Sequence, residues 1–388
     1  MADRDASCGQ GGAAAAAGVL DFTSALYLDM RHPSGALEPW ESLTLGKPAA
    51  LEQPPGAAGV ARELAALQGC EAALLLPSTL HLYWDLFAML AEQTVALLID
   101  GGAYPIARWG AQQALARGAP MQVFRHGDAA GLARLARRWG AQGRRPVVLA
   151  DGYSPGAEHP PPLSDYADIA ARDGGWLVLD DTQPLGLLGR RGGGSVPLHG
   201  LAGPRQGRDS AWPCGAPPGR SAGRTSGRGA TPVLVGASLA KAFGAPLAVL
   251  AGSAAMLARF EERSLVRVHA SPPSVAAVAA ARRALRINAV RGGALRLALR
   301  RRVQQFRAGL AAAGIACCGG MFPVQVVPLA AGANGPALQA ALRSEGVLAL
   351  LQGQRGTARL TFLLRAGHSA HDVARAVAAL EHHMKELA

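Results

Sequence analysis

Seven short apolar runs, most of them closed by a polar or turn residue, constrain this chain more than any other feature: residues 72–76, 95–99, 121–124, 147–150, 176–179, 233–235 and 247–251. Runs this short and this apolar read as strands buried on both faces, and the Ala/Leu/Arg stretches after most of them, such as 129–139, read as crossover helices. The expected architecture is therefore α/β, built on a mainly parallel sheet. Ligands of such open sheets sit beyond the carboxyl ends of the strands, so functional residues are expected just after the runs. Beyond Pro272 and Pro273 the pattern changes to a long helix, about 274–313, kinked near Gly292 and Gly293. A compact α/β unit follows, with strands near 324–327 and 358–364, a helix at 336–345 and a closing helix at 370–387. We divide the chain into an N-terminal arm (1–50), a large domain (51–273) and a small C-terminal domain (274–388). Residues 203–229 interrupt the large domain with a Gly-, Pro-, Ser- and Arg-rich loop of no apolar period. Its arginines (Arg205, Arg208, Arg220, Arg224, Arg228) are either solvated or grip a phosphorylated or CoA-like substrate.

Composition removes several function classes. At 388 residues the chain can bury more than one core. No stretch of about 18 uncharged apolar residues is present, so no membrane span is expected. The apolar run 11–20 is short and lacks a basic flank, so it is not read as a secretory signal, and the expected compartment is cytoplasmic. Five cysteines (Cys8, Cys70, Cys214, Cys317, Cys318) are odd in number and show no CxxC spacing, which argues against a disulfide framework and a zinc site; no metal is expected. The net charge of +12 is scattered instead of striped, and aromatics are only 5%, too few for a base-stacking platform, so no nucleic-acid partner is expected.

Of the 39 basic residues only Lys47, Lys241 and Lys385 are lysines, leaving 36 arginines. Lys47 and Lys385 occupy ordinary surface settings, whereas Lys241 interrupts the apolar stretch 233–251 within Ser-Leu-Ala-Lys-Ala-Phe-Gly. An amine in an apolar pocket is destabilised as a cation, so its pKa falls and it becomes nucleophilic toward an aldehyde. Arginine cannot do this because its guanidinium stays charged. The competing reading is a loop lysine without a role, which the scarcity of lysine disfavours. The strand 176–179 runs into Asp180-Asp181-Thr182-Gln183. A carboxylate there can pair with a pyridinium nitrogen and keep the ring protonated as an electron sink, or it can simply cap a turn.

These two segments resemble the paired signatures of the α-oxoamine synthases, a family of fold-type-I pyridoxal phosphate enzymes. Ser238-Leu239-Ala240-Lys241-Ala242-Phe243-Gly244 is similar to the family's Ser-Leu-Ser-Lys-Ala-Phe-Gly. Leu179 to Leu185 is similar to its Val-Asp-Asp-Ala-His-Gly-x-Gly. The resemblance runs from Leu20 almost to the C-terminus, weakest in the Arg/Gly-rich loop. It implies an aspartate-aminotransferase-like fold, pyridoxal 5'-phosphate as cofactor, Lys241 as the Schiff-base residue and Asp180 as the partner of the ring nitrogen. It also implies that Ser238 faces the cofactor phosphate. Gln183 stands for the usual histidine, an amide able to donate to the 3'-oxygen but not to ionise. Ser78, Thr79 and Leu80 fall where the family cradles the phosphate at a helix start, although Ser78 also reads as an ordinary N-cap. Tyr104 falls where a histidine stacks on the ring, and a core tyrosine is the other reading. Ser154 follows a strand in a segment that lines the cofactor. His269 falls where the family reaches the partner subunit's phosphate, which would require a homodimer; a surface loop histidine is the alternative.

Two departures bear on the reaction. Ala25 replaces the asparagine that helps hold a substrate carboxylate, and Thr361 replaces the arginine that clamps it. Strand alternation puts Arg359 on the same face as Thr361, so Arg359 is a candidate substitute, with Arg355 and Arg365 as others. The resemblance implies that the Cα carbanion of an amino substrate condenses with an acyl-CoA or acyl-carrier thioester. An aminotransferase or lyase on the same scaffold is the runner-up, and a non-catalytic subunit the more distant one.

Overall fold

The structure is a computed structural model and describes residues 18–155, 160–201, 233–353 and 357–386. The Arg-rich loop arginines, Arg355, Cys8 and Cys214 lie outside the described residues. In chain order the first elements are β1 (Leu20–Asp21), α1 (Ala57–Gln68), β2 (Ala72–Leu76), α2 (Thr79–Leu90), β3 (Val95–Asp100), α3 (Pro105–Ala116) and β4 (Met121–Phe124). Then come α4 (Ala129–Gly140), β5 (Arg145–Asp151), α5 (Leu163–Arg172), β6 (Trp176–Asp180), α6 (Ser195–His199), β7 (Val233–Ser238) and β8 (Ala248–Gly252). All seven expected runs are strands of one sheet, in the order β2-β8-β7-β6-β5-β3-β4. Only β8 runs antiparallel to its neighbours. The reason is local: the turn 239–247 between β7 and β8 is too short to hold the crossover that a parallel return needs.

Alternation splits the strand side chains between two covered faces. Leu97, Ile99, Val147, Leu149 and Val178 pack with α2 and α3 residues such as Leu86, Phe87 and Ala107. Leu98, Val148, Ala150, Leu177 and Leu179 pack instead with Leu132 of α4 and Tyr166 and Ile169 of α5. With both faces dry, the sheet offers a ligand only its edges and strand ends.

The chain continues through α7 (Ala254–Arg263), α8 (Leu265–His269) and α9 (Val275–Ala312) into β9 (Val324–Pro328), α10 (Gly335–Ser344), β10 (Val347–Leu348), β11 (Leu350–Gln352), β12 (Arg359–Leu363) and α11 (Ala370–Glu386). A second, antiparallel sheet has the order β11-β12-β9, and β1 pairs parallel with β10. Phe22, just after β1, packs on Phe306, Phe362 and His368, so the N-terminal segment is fastened to this C-terminal unit. The kink expected at Gly292 is absent, and α9 runs as one helix. Gly292 serves close approach instead: a Cβ there would lie 2.3 Å from Asn288 Oδ1. Its bareness admits the pair in which Arg296 Nη1 donates to Asn288 Oδ1 (2.7 Å) and to the Gly186 carbonyl (3.1 Å).

Candidate active site

The parallel strands β3, β5 and β6 each end in an aspartate: Asp100, Asp151 and Asp180. Asp151 is the register partner of Asp180, and Asp180 that of Gly236 on β7, so the β5 and β6 carboxylates stand side by side. Asp100 is occupied by structure. It accepts from His126 Nδ1 (2.6 Å), the Tyr166 hydroxyl (2.7 Å) and the Gly102 amide (2.7 Å). Asp151 and Asp180 are less completely satisfied. Asp151 Oδ1 accepts from the Tyr104 amide at 2.9 Å, and Asp180 Oδ1 from the Thr182 amide at 3.0 Å.

Lys241 lies in the turn after β7, between buried Leu239, Ala242 and Phe243. Gly244 closes that turn at φ +61°, donating to the Lys241 carbonyl, and a Cβ on it would meet the Met30 carbonyl at 2.1 Å. Glycine is therefore required there on both conformational and steric grounds. Among the described residues the Lys241 amine makes no hydrogen bond or ion pair. It lies 5.7 Å from the centroid of the Tyr104 ring, a cation–π distance. Burial lowers its pKa, opposed by the fields of Asp180 and then Asp151. Burial raises Asp180, with the Thr182 hydrogen bonds and Lys241 opposing it. Asp151 is pushed up by burial and by Asp180. The structure thus brings Lys241, Asp180 and Tyr104 together, and adds Asp151.

Supporting contacts tie in other expected residues. The Ser238 amide donates to Thr182 Oγ1 (3.0 Å), joining the ends of β6 and β7, while Ser238 Oγ accepts from the Ala240 amide. Gln183 Oε1 accepts the hydroxyl of Tyr27 at 2.8 Å. Ser154 Oγ donates to the Gly102 carbonyl at 3.4 Å, beside the loop that carries Tyr104. Ser78 is the N-cap of α2, accepting from the His81 amide and lying 2.7 Å from His81 Nδ1, so the capping reading holds for its hydroxyl. Thr79 and Leu80 open α2. One turn later Tyr83, fully buried, donates to the carbonyls of Leu179 and Gly236 (3.4 Å each), which draws the helix start over the ends of β6 and β7.

Two expected residues are not joined to this cluster. His269 ends α8 exposed, and Arg359 is exposed on β12. Arg359 Nε and Thr361 Oγ1 both donate to Gln352 Oε1 (3.4 and 3.2 Å), so the two do share a face. Arg365 is buried and committed to the scaffold, donating to Asp29 Oδ1 (2.8 Å) and the Asp21 carbonyl (3.2 Å). Sequence reasoning passed over Asp151, Tyr83, Thr182 and Tyr27. Asp151 carried the same signal as Asp180, a carboxylate ending an apolar run. Among the described residues Glu345, His382 and His383 place metal-type ligand atoms within 4.8 Å of one another. These atoms are paired among themselves and with Glu386.

Asp181, fully buried beside Asp180, accepts from the Ser195 amide at 2.9 Å, but its Oδ1 has no partner among the described residues. Burial pushes its carboxyl from 3.8 to about 7. Between those values the folded chain keeps a proton that the unfolded chain has released, so stability is fullest on the acid side and declines as pH rises from about 4 through about 7. Asp181→Asn is expected to remove its share of that decline and to stabilise the protein at pH ~8, by an amount on the order of a few kcal/mol. Thermal unfolding of both proteins across that range checks it.

The residues fit pyridoxal 5'-phosphate on the structure's own terms. Two buried carboxylates face one half-buried amine, a site short of positive charge that a protonated ring nitrogen would supply. The amine is unpaired among the described residues and its pKa is lowered, as suits an aldehyde acceptor, and the start of α2 presents backbone N–H groups suited to a dianion.

Comparison with known proteins agrees. Residues 208–380 match the family model for aminotransferase class I and II. The chain is 32% identical over 269 residues to 8-amino-7-oxononanoate synthase of Alkalilimnicola ehrlichii, covering 68% of this chain and 61% of that protein. To the synthase of Halorhodospira halophila it is 31% identical over 325 residues, covering 82% and 72%. The match thus spans about three fifths of the length of the first of these relatives. The fold is that of Sphingomonas wittichii serine palmitoyltransferase, with TM-score 0.77 at 16% identity over 94% of this chain and 86% of that one. The fold and strand-end site define a fold-type-I pyridoxal phosphate protein. Within that class the chain belongs to the α-oxoamine synthase family.

Proposed function

We propose that this chain is a pyridoxal-phosphate-dependent transferase that condenses the Cα of an amino substrate with an acyl-CoA or acyl-carrier thioester. The carrying observation is the half-buried amine of Lys241, unpaired among the described residues, set against the Tyr104 ring and within the fields of Asp180 and Asp151. Pyridoxal phosphate, when bound, supplies an electron sink for the bonds at Cα. The chain's own residues do the rest. Lys241 would anchor the cofactor aldehyde and serve as the base for the Cα proton, a role favoured by the burial that lowers its pKa. Asp180 would hold the proton on the ring nitrogen, and the Tyr104 ring would support the ring face. The opening of α2 (Ser78, Thr79, Leu80), together with Ser238, holds the phosphate, and Ser154 lines the cleft. Full-length protein incubated with pyridoxal phosphate is expected to absorb above ~400 nm, and borohydride should fix the cofactor on the peptide carrying Lys241. Adding amino acids with acyl-CoA should then release free thiol.

A second reading rests on Thr361 and Arg365. Thr361 bonds Gln352 and Arg365 bonds Asp29, so neither is a free clamp for a carboxylate. This favours aminotransferase or lyase chemistry, since Arg359 too is bonded to Gln352 and stands apart from the cluster. Formation of pyridoxamine phosphate without thiol release would select the aminotransferase.

The partner we propose is a second copy of the chain, and the compartment the cytoplasm, where acyl thioesters are made. Leu80 and Trp84 share a face of α2, Leu265 and Val268 a face of α8, and all four are exposed, as are Tyr104 and Trp109. The α2 pair adjoins the proposed phosphate cradle, and His269 ends α8. Trp84→Asp is therefore expected to turn a sedimenting dimer into a monomer and to weaken cofactor binding about tenfold or more. Sedimentation velocity and cofactor titration read the two effects. No helix among the described residues is long and apolar enough to cross a membrane.

A further inference from the structure

The side chain of Gln183 is held from behind. Its Oε1 accepts the hydroxyl of Tyr27 at 2.8 Å, whereas its Nε2 has no partner among the described residues and is not among the buried unpaired atoms. Tyr27 is 1% exposed. Its ring meets Phe322 edge-on (centroids 5.9 Å apart, 73° between planes), and Phe322 stacks on Tyr153 at 4.0 Å, two residues past Asp151. The Tyr27 backbone is fastened as well, its carbonyl accepting from the Ala366 amide at 2.8 Å. The phenol is therefore a fixed post, not a mobile surface hydroxyl. Burial also raises its pKa above the ordinary phenol value, which favours the protonated, donating form.

The direction of the amide follows from donor and acceptor arithmetic. An amide has one accepting end and one donating end, and a phenol has a single proton to give. In the orientation observed, that proton rests on Oε1. Turned over, Nε2 would face the phenol oxygen and the buried hydroxyl proton would have no acceptor, since Tyr27 makes no other side-chain hydrogen bond among the described residues.

We propose that Tyr27 is a positioning residue which, by donating to Gln183 Oε1, locks the amide with its NH2 toward the cofactor space and makes Gln183 a fixed, neutral hydrogen-bond donor. What the NH2 addresses rests on the reading under Proposed function; the lock itself rests on the contact. A histidine at this place would gain and lose a proton near neutrality, whereas the locked amide donates without titrating. The oxygen it serves therefore feels a constant donor across pH.

The test is a double-mutant cycle on the full chain, with pyridoxal phosphate as the probe. The dissociation constant and the absorption maximum of the bound cofactor are measured for wild type, Tyr27→Phe, Gln183→Ala and the double variant. Tyr27→Phe should weaken binding about 3- to 10-fold and shift the maximum, the scale of one hydrogen bond. Both effects should vanish in the Gln183→Ala background. Melting of the cofactor-free proteins reports any structural loss separately. An equal loss from Tyr27→Phe in both backgrounds, or no loss in either, overturns the proposal while leaving the cofactor reading intact. A wild-type chain that binds no pyridoxal phosphate removes both.

Discussion

Lys241→Ala should give a folded, colourless protein whose turnover is lower by about 10²–10⁴-fold from loss of the base alone, and by more once covalent anchoring is lost. Folding should survive because the amine makes no hydrogen bond or ion pair among the described residues, so truncation orphans no partner. The variant is expected to melt close to wild type without cofactor, since ending the desolvation cost of the amine and losing its field at Asp180 and Asp151 oppose one another. Lys241→Arg separates the two roles a cation can play. Arginine restores charge opposite Asp180 and Asp151 but cannot attack an aldehyde, so it should stay colourless and inactive. Spectra, melting curves and thiol release for the three proteins check this, and an Ala variant that still traps cofactor on borohydride reduction would contradict it.

How far the site could be read from sequence depends on what each residue's signal was. The strands were plain because burial on both faces demands uninterrupted apolar runs, and Lys241 was plain because an arginine-rich chain keeps so few lysines. The reversed direction of β8 was not plain, because it depends on the length of the turn 239–247 and not on the composition of the strand. Gly292 misled because glycine marks two opposite things, a weak point and a close approach, and only the Asn288–Arg296 pair decides between them. Asp151 was overlooked although it ends its run as Asp180 does. Sequence shows a strand end but not which strands are neighbours, and the pairing of β5 with β6 is what sets the two carboxylates together. Tyr27 and Gln183 are 156 residues apart, and nothing local links them.

That pairing of carboxylates leads to the second large effect. Asp180→Asn keeps shape and the accepting oxygen for the Thr182 amide, so the loss it causes is one of charge. Without that charge the ring nitrogen is no longer held protonated, and turnover should fall on the order of 10²–10³-fold, the scale of one preorganised electrostatic contact. Asp151→Asn, which lowers the same field at Lys241 but leaves Asp180 in place, should cost distinctly less. Stability should move the opposite way. Burial raises the Asp180 carboxyl above its unfolded value, so the folded chain holds its proton more tightly than the unfolded one, and stability falls as pH rises from the unfolded toward the folded value. The asparagine variant has no such charge to bury and should melt higher than wild type, cofactor-free, on the alkaline side of neutrality. Losing activity while gaining stability is what distinguishes a carboxylate kept for chemistry from one kept for the fold. A cofactor-free Asp180→Asn protein that melts lower than wild type at mildly alkaline pH would mean that Asp180 is held for structure, with Thr182 as the partner it serves.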